Sequence, residues 1–258
     1  MSVAHIHLQA SVAPTAKLGS GVQIGPYAVV GDAVELGDGC VLHAHAVVQG
    51  PSKMGRDNVF HPFSSIGGDP QDLGFRGEHV ELVVGDGNTF RENVTVSRGT
   101  AKGGGKTTIG NRNLFLASSH VGHDCHVGDS NLFVNGATLA GHVIVEDFAT
   151  IGFSSPVHQF CRVGRHAYIG ASTVITQDVP PFSLVVTERE TTCFGLNKVG
   201  LQRFLGRPRA GIASRFSLVV AFEAEYEPGA RRDARFTRGF PRRRRTHPVH
   251  RECGTRDH

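Results

Sequence analysis

The chain has 258 residues, enough for one large domain with a small appendage and a real core, and too few for two independent large domains. It contains 33 Gly, no Trp and only 3 Tyr, a composition that argues for repeated tight turns and against an aromatic-rich core. The formal charge of +4 hides a split: residues 207–258 carry 13 Arg against 6 acids, residues 1–206 hold 14 basic and 17 acidic side chains, and the basic character belongs to the tail.

At the N-terminus, Met1 to Ala10 offers neither a basic segment nor an uninterrupted apolar stretch. No later run approaches the ~20 apolar residues that a membrane span needs. A soluble, cytoplasmic protein is expected. The five cysteines, Cys40, Cys125, Cys161, Cys193 and Cys253, follow no paired zinc-type spacing and leave an odd one over, which predicts reduced thiols.

From Val12 onward an aliphatic or large apolar residue recurs at every sixth position, through Leu18, Ile24, Val30, Leu36, Leu42, Val48, Met54, Phe60 and Ile66. The beat returns at Val84, Phe90 and Val96, and then runs unbroken from Ile109 to Ile175. A period of six fits neither an α-helix nor an alternating strand. It fits a solenoid in which three short strands make a triangular coil of 18 residues and the apolar residue of each hexad points inward. Glycine often follows the inward residue, as at Gly25, Gly37 and Gly128, where a bend has little room for a Cβ. The period alone leaves the handedness open.

Two segments, 67–83 and 99–108, leave the beat, and the repeat ends near Pro180-Pro181. The predicted organisation is a solenoid over residues 1–181 and a separate C-terminal region over 182–258. A purely structural solenoid would present monotonous faces without such excursions, and loops inserted on solenoids usually carry binding or assembly function.

Residues 18 apart stack in one column, so His123, Gly141 and Gln159 line up, with Asp124, His142 and Phe160 in the adjacent column. His120 lies just upstream and His158 beside Gln159. Acyl transfer to a hydroxyl needs a base, a group that orients the base, and donors for the tetrahedral oxyanion. His123 is the best base because Asp124 can fix its tautomer, and the Gly141 N–H one coil along can approach an oxyanion closely. Two pairings serve as controls. His43 and His61 stack as neatly and are assigned no chemistry, while Cys125 and Cys161, two coils or ~9.6 Å apart, are too distant for a disulfide and are read as packing. From a different class, His120, His123 and His142 on neighbouring coils resemble the three-histidine zinc set of β-helical carbonic anhydrases.

The hexad solenoid, GGDPQDLGF at 67–75, RENVTVSRGT at 91–100, HVGHDCHVG at 120–128, NGATLAGHV at 135–143 and PVHQFCRVG at 156–164 together resemble one family, the bacterial acyl-carrier-protein:UDP-N-acetylglucosamine O-acyltransferases. The resemblance runs from about Pro14 to Arg203. It implies a left-handed parallel β-helix and a homotrimer with clefts between subunits. The implied reaction moves an (R)-3-hydroxyacyl group from acyl carrier protein to the sugar 3-hydroxyl, the first step of lipid A synthesis, without metal or dissociable cofactor. By resemblance, His123 is the general base, Asp124 its orienting partner and Gly141 the oxyanion donor. Asp72, His120, His142, His158 and Gln159 line the sugar-nucleotide and acyl groove, Asn197 and Arg203 lie near the nucleotide, and Ala171 sets acyl-chain length. Acylation of a related amino-sugar nucleotide is the neighbouring alternative.

The chain departs from the family twice. Gly74 stands where the family often has Lys, so a cationic substrate contact is either missing or replaced by Arg76. After Arg203 the family's amphipathic helical domain gives way to an Arg-rich run with RRRR at 242–245, the product of divergence or of a shifted reading frame. Such a cluster attracts phosphates, but without aromatic interleaving or a recognised fold no nucleic-acid partner is expected.

Overall fold

Each hexad turns two side chains inward, not one. The large residues of the six-residue beat are buried from Ile24 to Ile175, and so are the residues two positions earlier: Val22, Ala28, Val34, Cys40 and Ala46, then Asn58, Ser64 and their successors. The large residue fills the middle of each coil, while the small or polar one sits in the angle between two walls, where less volume is available.

A computed structural model describes residues 3–187, which wind into a left-handed parallel β-helix. Strands mostly two residues long form three parallel sheets of 10, 8 and 8 strands, one per wall of the triangle. The register is 18 residues wherever coils are regular, as in His5↔Gln23 and Leu132↔Thr150. It widens to 30 in Val59↔Thr89 and to 25 in Thr89↔Leu114, so the two excursions insert a net 12 and 7 residues without breaking the stack. Among the described residues, no helix is long and apolar enough to cross a membrane.

Both excursions are shorter than the broken beat implies. Ser65–Gly68 and Glu81–Val84 are strands, so the first leaves the wall only over 69–80. Lys106–Ile109 is a strand and Ala101–Gly103 a single 3₁₀ turn, so the second is confined to 98–105. Backbone pairing continues there while the apolar marker is out of phase. Coil pairing also extends past residue 181, since Leu184–Val185 pairs with Tyr168–Ile169. Pro180 and Pro181 lie in the turn before that strand, where no ladder N–H is required.

Two internal columns brace the coils that carry the insertions. Phe60, Phe90, Phe115 and Phe133 stack with centroid separations of 5.2, 5.0 and 4.6 Å. Asn58, Asn88, Asn113 and Asn131 form a buried polar ladder, each Oδ1 accepting the backbone N–H of the next rung at 2.6–2.9 Å. Three of the Nδ2 groups donate to turn carbonyls, of Gly55 and Gly85, of Gly110 and of Gly128. Buried turn amides that a regular strand would have paired are satisfied this way.

Removing the middle of the aromatic stack tests this bracing. Phe115→Ala is expected to destabilise by about 3–5 kcal/mol, read as a lower urea midpoint with unchanged m-value. A loss under about 1 kcal/mol would show that adjacent coils collapse into the space.

Candidate active site

The corner that follows the strand His120–Val121 carries His123 and Asp124, and the next two coils bring Gly141 and His142, then Gln159 and Phe160, to the same corner. Asp124, His142 and Phe160 all adopt left-handed backbone, with φ of 59, 62 and 66°. Non-glycine residues take this conformation infrequently. Here it recurs once per hexad, as at Ser118, Asp124 and Ser130 of one coil, and turns the chain from wall to wall.

His123 Nδ1 lies 2.8 Å from Asp124 Oδ2, and the side chains are 16% and 1% exposed. The carboxylate is immobilised from the second excursion: Thr100 donates its N–H to Oδ1 at 2.8 Å and its hydroxyl to Oδ2 at 2.7 Å. Asp124 N–H in turn donates to Thr107 Oγ1 at 2.8 Å. Burial pushes the Asp124 carboxyl up, but the bonds from Thr100 and His123, with His142 nearby, outweigh it and hold the group below its ordinary value. Thr100 and Thr107 were not singled out in the sequence. Their signal is only that they bracket an excursion whose register returns beside HVGHDC.

The His123 ring lies over Gly141. A Cβ on Gly141 would fall 2.5 Å from His123 Cε1 and 2.8 Å from Nε2, so the glycine is needed for the ring to rest where it does. Among the described residues the Gly141 N–H donates to no protein acceptor. His142 Nε2 is 3.7 Å from Asp124 Oδ2, and its ring meets His123 edge-on at 5.2 Å and stacks on Phe160 at 4.6 Å.

The other expected residues separate. His120 is half-buried, with Nδ1 2.7 Å from Thr95 Oγ1, and burial followed by the repulsion of His123 lowers its pKa. His158 and Gln159 are exposed, His158 Nδ1 lying 3.2 Å from Gln159 O. Asp72 is on the first excursion, where its carboxylate accepts the Gly74 N–H. Ala171 is exposed one coil beyond Phe153, in a column at a different corner from His123. Asn197, Arg203 and the Arg-rich run lie outside the described residues. Arg76, the expected alternative source of a cation near residue 74, donates from Nη1 to Leu73 O and Phe75 O of its own loop.

Among the described residues, the three ligand atoms that approach one another closely enough for a metal ion are those of His123, Asp124 and His142, within 4.8 Å, rather than of three histidines. Asp124 there already accepts three hydrogen bonds. The controls also differ from the site. His43 and His61 rings are 4.9 Å apart, but the carboxylate nearest His61, Glu92, is 3.6 Å away and beyond hydrogen bonding. Burial pushes the Cys125 thiol up to about 12, and it donates to Ala140 O, as a packed cysteine does.

Thr100→Val tests the clamp. A carboxyl held below its unfolded pKa of ~3.9 adds stability at neutral pH, which is lost as pH falls through the folded pKa. Losing the hydroxyl raises the folded pKa, so the variant is expected to be less stable at pH ~7 by about 1.5–3 kcal/mol in urea titrations. The gap should narrow on acidification. A gap independent of pH would assign the loss to packing.

Comparison with known proteins follows this geometry. The family model "Bacterial transferase hexapeptide (six repeats)" matches residues 15–50. An acyl-(acyl-carrier-protein):UDP-N-acetylglucosamine O-acyltransferase of Stenotrophomonas maltophilia strain R551-3 is 52% identical over 198 residues, 77% of this chain and 75% of that protein. Two solved structures share the fold. The UDP-N-acetylglucosamine acyltransferase of Francisella novicida has a TM-score of 0.69 at 35% identity, with 88% of this chain and 82% of that one covered. The UDP-N-acetylglucosamine O-acyltransferase of Moraxella catarrhalis has a TM-score of 0.68 at 35% identity, with 88% and 87% covered. Half the aligned residues shared over three quarters of both sequences, on one coil architecture, make this chain a member of the acyl-carrier-protein-dependent UDP-N-acetylglucosamine O-acyltransferase family.

Proposed function

We propose that the protein transfers an (R)-3-hydroxyacyl group from acyl carrier protein to the 3-hydroxyl of UDP-N-acetylglucosamine, the first step of lipid A synthesis, with His123 as general base. The observation that carries the assignment is the 2.8 Å contact of His123 Nδ1 with an Asp124 carboxylate fixed by Thr100. A proton on Nδ1 is held by Asp124, which leaves the Nε2 lone pair free to take the sugar hydroxyl proton. The hydroxyl oxygen attacks the thioester carbonyl, and the unpaired Gly141 N–H supports the oxyanion. Collapse of the tetrahedral intermediate breaks the C–S bond, and His123 returns its proton to the thiolate of the carrier. A thioester is already activated, so a base and an oxyanion donor suffice and no dissociable cofactor enters the scheme.

The assembly proposed with it is a homotrimer. Ala171 and His123 lie at different corners, 48 residues or more than two 18-residue coils apart, so a groove that uses both is completed by a neighbouring copy. Exposed aromatic side chains at the corners, Phe153 at 53% and Phe160 at 67%, are surface that such a neighbour would cover.

Purified protein incubated with UDP-N-acetylglucosamine and 3-hydroxyacyl carrier proteins, followed by mass spectrometry, is expected to yield the O-acylated sugar nucleotide. Product only from a 3-amino acceptor would move the assignment to an amino-sugar nucleotide. His123→Ala should lose roughly 10²–10⁴-fold in kcat, the range for a removed general base. Gly141→Ala, which displaces the His123 ring, should lose on the order of 10²-fold with little change in stability. Full activity in either variant would reject the role given to that residue. Light scattering should give three times the chain mass; an active monomer would exclude a shared groove.

A further inference from the structure

The first excursion carries Gly74 where the family often has a lysine. Its backbone does not require glycine, since Gly74 is absent from the left-handed conformations that mark Gly67 and Gly77. The space beside it is already occupied. A Cβ on Gly74 would lie 2.8 Å from Lys102 Nζ and 3.0 Å from Asp72 Oδ1, so the ammonium of Lys102 sits where a residue-74 side chain would begin, next to Asp72.

Lys102 reaches that place from the second excursion. It sits in the 3₁₀ turn Ala101–Gly103, whose N-cap Thr100 holds Asp124. Gly103 packs so tightly against the Asp124 carboxylate that a Cβ there would meet Cγ at 2.1 Å. The turn is therefore seated on the acid that orients His123, and it projects one exposed cation towards the other excursion.

Neighbouring cations are committed elsewhere. Arg76 donates to carbonyls of its own loop, Arg98 is paired with Asp69, and Lys106 is 3.3 Å from Glu81. Among the described residues, no carboxylate lies within salt-bridge distance of Lys102 Nζ, and its charge acts only at longer range on Glu78 of the first excursion. An ammonium placed by a fixed turn, near carboxylates yet in direct contact with none, is suited to a ligand with anionic oxygens.

We propose that Lys102 is a substrate-binding residue that supplies, from the second excursion, the cation missing at position 74, and that it contacts a phosphate group of a substrate. The inference rests on the acyl-transfer reading, in which both substrates carry such groups: the diphosphate of the sugar nucleotide and the phosphodiester of the carrier's phosphopantetheine. Lys102 takes no part in proton transfer. Its contribution is to binding.

Steady-state kinetics with each substrate varied in turn, on wild type, Lys102→Ala, Lys102→Arg, Gly74→Lys and the Gly74→Lys/Lys102→Ala double variant, test this. Lys102→Ala is expected to raise KM about tenfold for one substrate, with kcat within a few-fold and the other KM unchanged, as loss of one charged contact predicts. The substrate whose KM rises identifies the phosphate. Lys102→Arg should keep most of the affinity. Gly74→Lys alone should bind about as well as wild type, because the flexible end of Lys102 gives way to the new side chain and a cation still occupies the place. In the double variant the same substitution should restore affinity, because the slot has been vacated. Calorimetric titration with UDP-N-acetylglucosamine gives a binding readout that needs no turnover. An active wild type whose Lys102→Ala variant keeps both KM values would overturn the role of Lys102 and leave acyl transfer standing. So would a variant that loses only thermal stability and kcat, since Lys102 would then merely support its turn. A wild type without acyl transfer counts against the functional reading itself.

Discussion

Everything in this molecule depends on the register by which each coil hydrogen-bonds to the next. With two-residue strands, no strand is stable by itself, and the stack holds only because all three walls pair in the same 18-residue step. That constraint forces residue n to lie over residue n + 18. It turns distant sequence positions into neighbours and leaves insertions one outlet, the corners. The 12- and 7-residue excursions obey it, for Val59, Thr89 and Leu114 remain partners in one sheet. The phenylalanine stack and the asparagine ladder cross the same coils, which places the best-braced part of the interior beneath the two departures from regularity.

The candidate chemistry uses the solenoid and its interruption in different ways. Stacking supplies the base and the glycine under it: His123 and Gly141 are one coil apart, and the absence of a Cβ allows the ring to lie across the lower coil. Stacking cannot hold the carboxylate still. Asp124 is at a corner, in left-handed backbone, and regular coils offer it only neighbours of the same kind, His142 and Phe160. The second excursion supplies Thr100 from outside the repeat, and its two hydrogen bonds give the carboxylate a fixed direction. His61 shows the contrast. It is as well stacked, yet it lacks a clamped acid within hydrogen-bond reach.

Periodicity made the coil, the inward large residues and the His123, Gly141, Gln159 column legible, because a fixed step converts counting into position. The second inward position was not legible: Ala28, Ser64 and Asn88 are buried alike, but as small or polar residues they carry no hydropathy signal. Excursion bounds were drawn too wide for a related reason. At Ser65–Gly68 and Lys106–Ile109 the backbone still pairs after the apolar marker has slipped. Thr100 was invisible because its partner is 24 residues away across an insertion, an interval that is not a whole number of 18-residue coils. Arg76 was legible as a cation near residue 74, but its folding back onto the carbonyls of Leu73 and Phe75 was not, since periodicity says nothing about conformation inside an excursion.

The placement of Lys102 bears on how such sites diverge. A cation need not come from the segment that usually carries it if another segment is held against the same space by an unrelated constraint. The turn Ala101–Gly103 is held by Asp124, which has to be gripped for the base to be oriented, and the grip carries Lys102 to the first excursion with it. Orientation of the base and placement of the charge are thereby mechanically linked through one carboxylate. A substitution at Asp124 would disturb both, and the resulting loss of substrate affinity would be no evidence that Asp124 itself touches substrate.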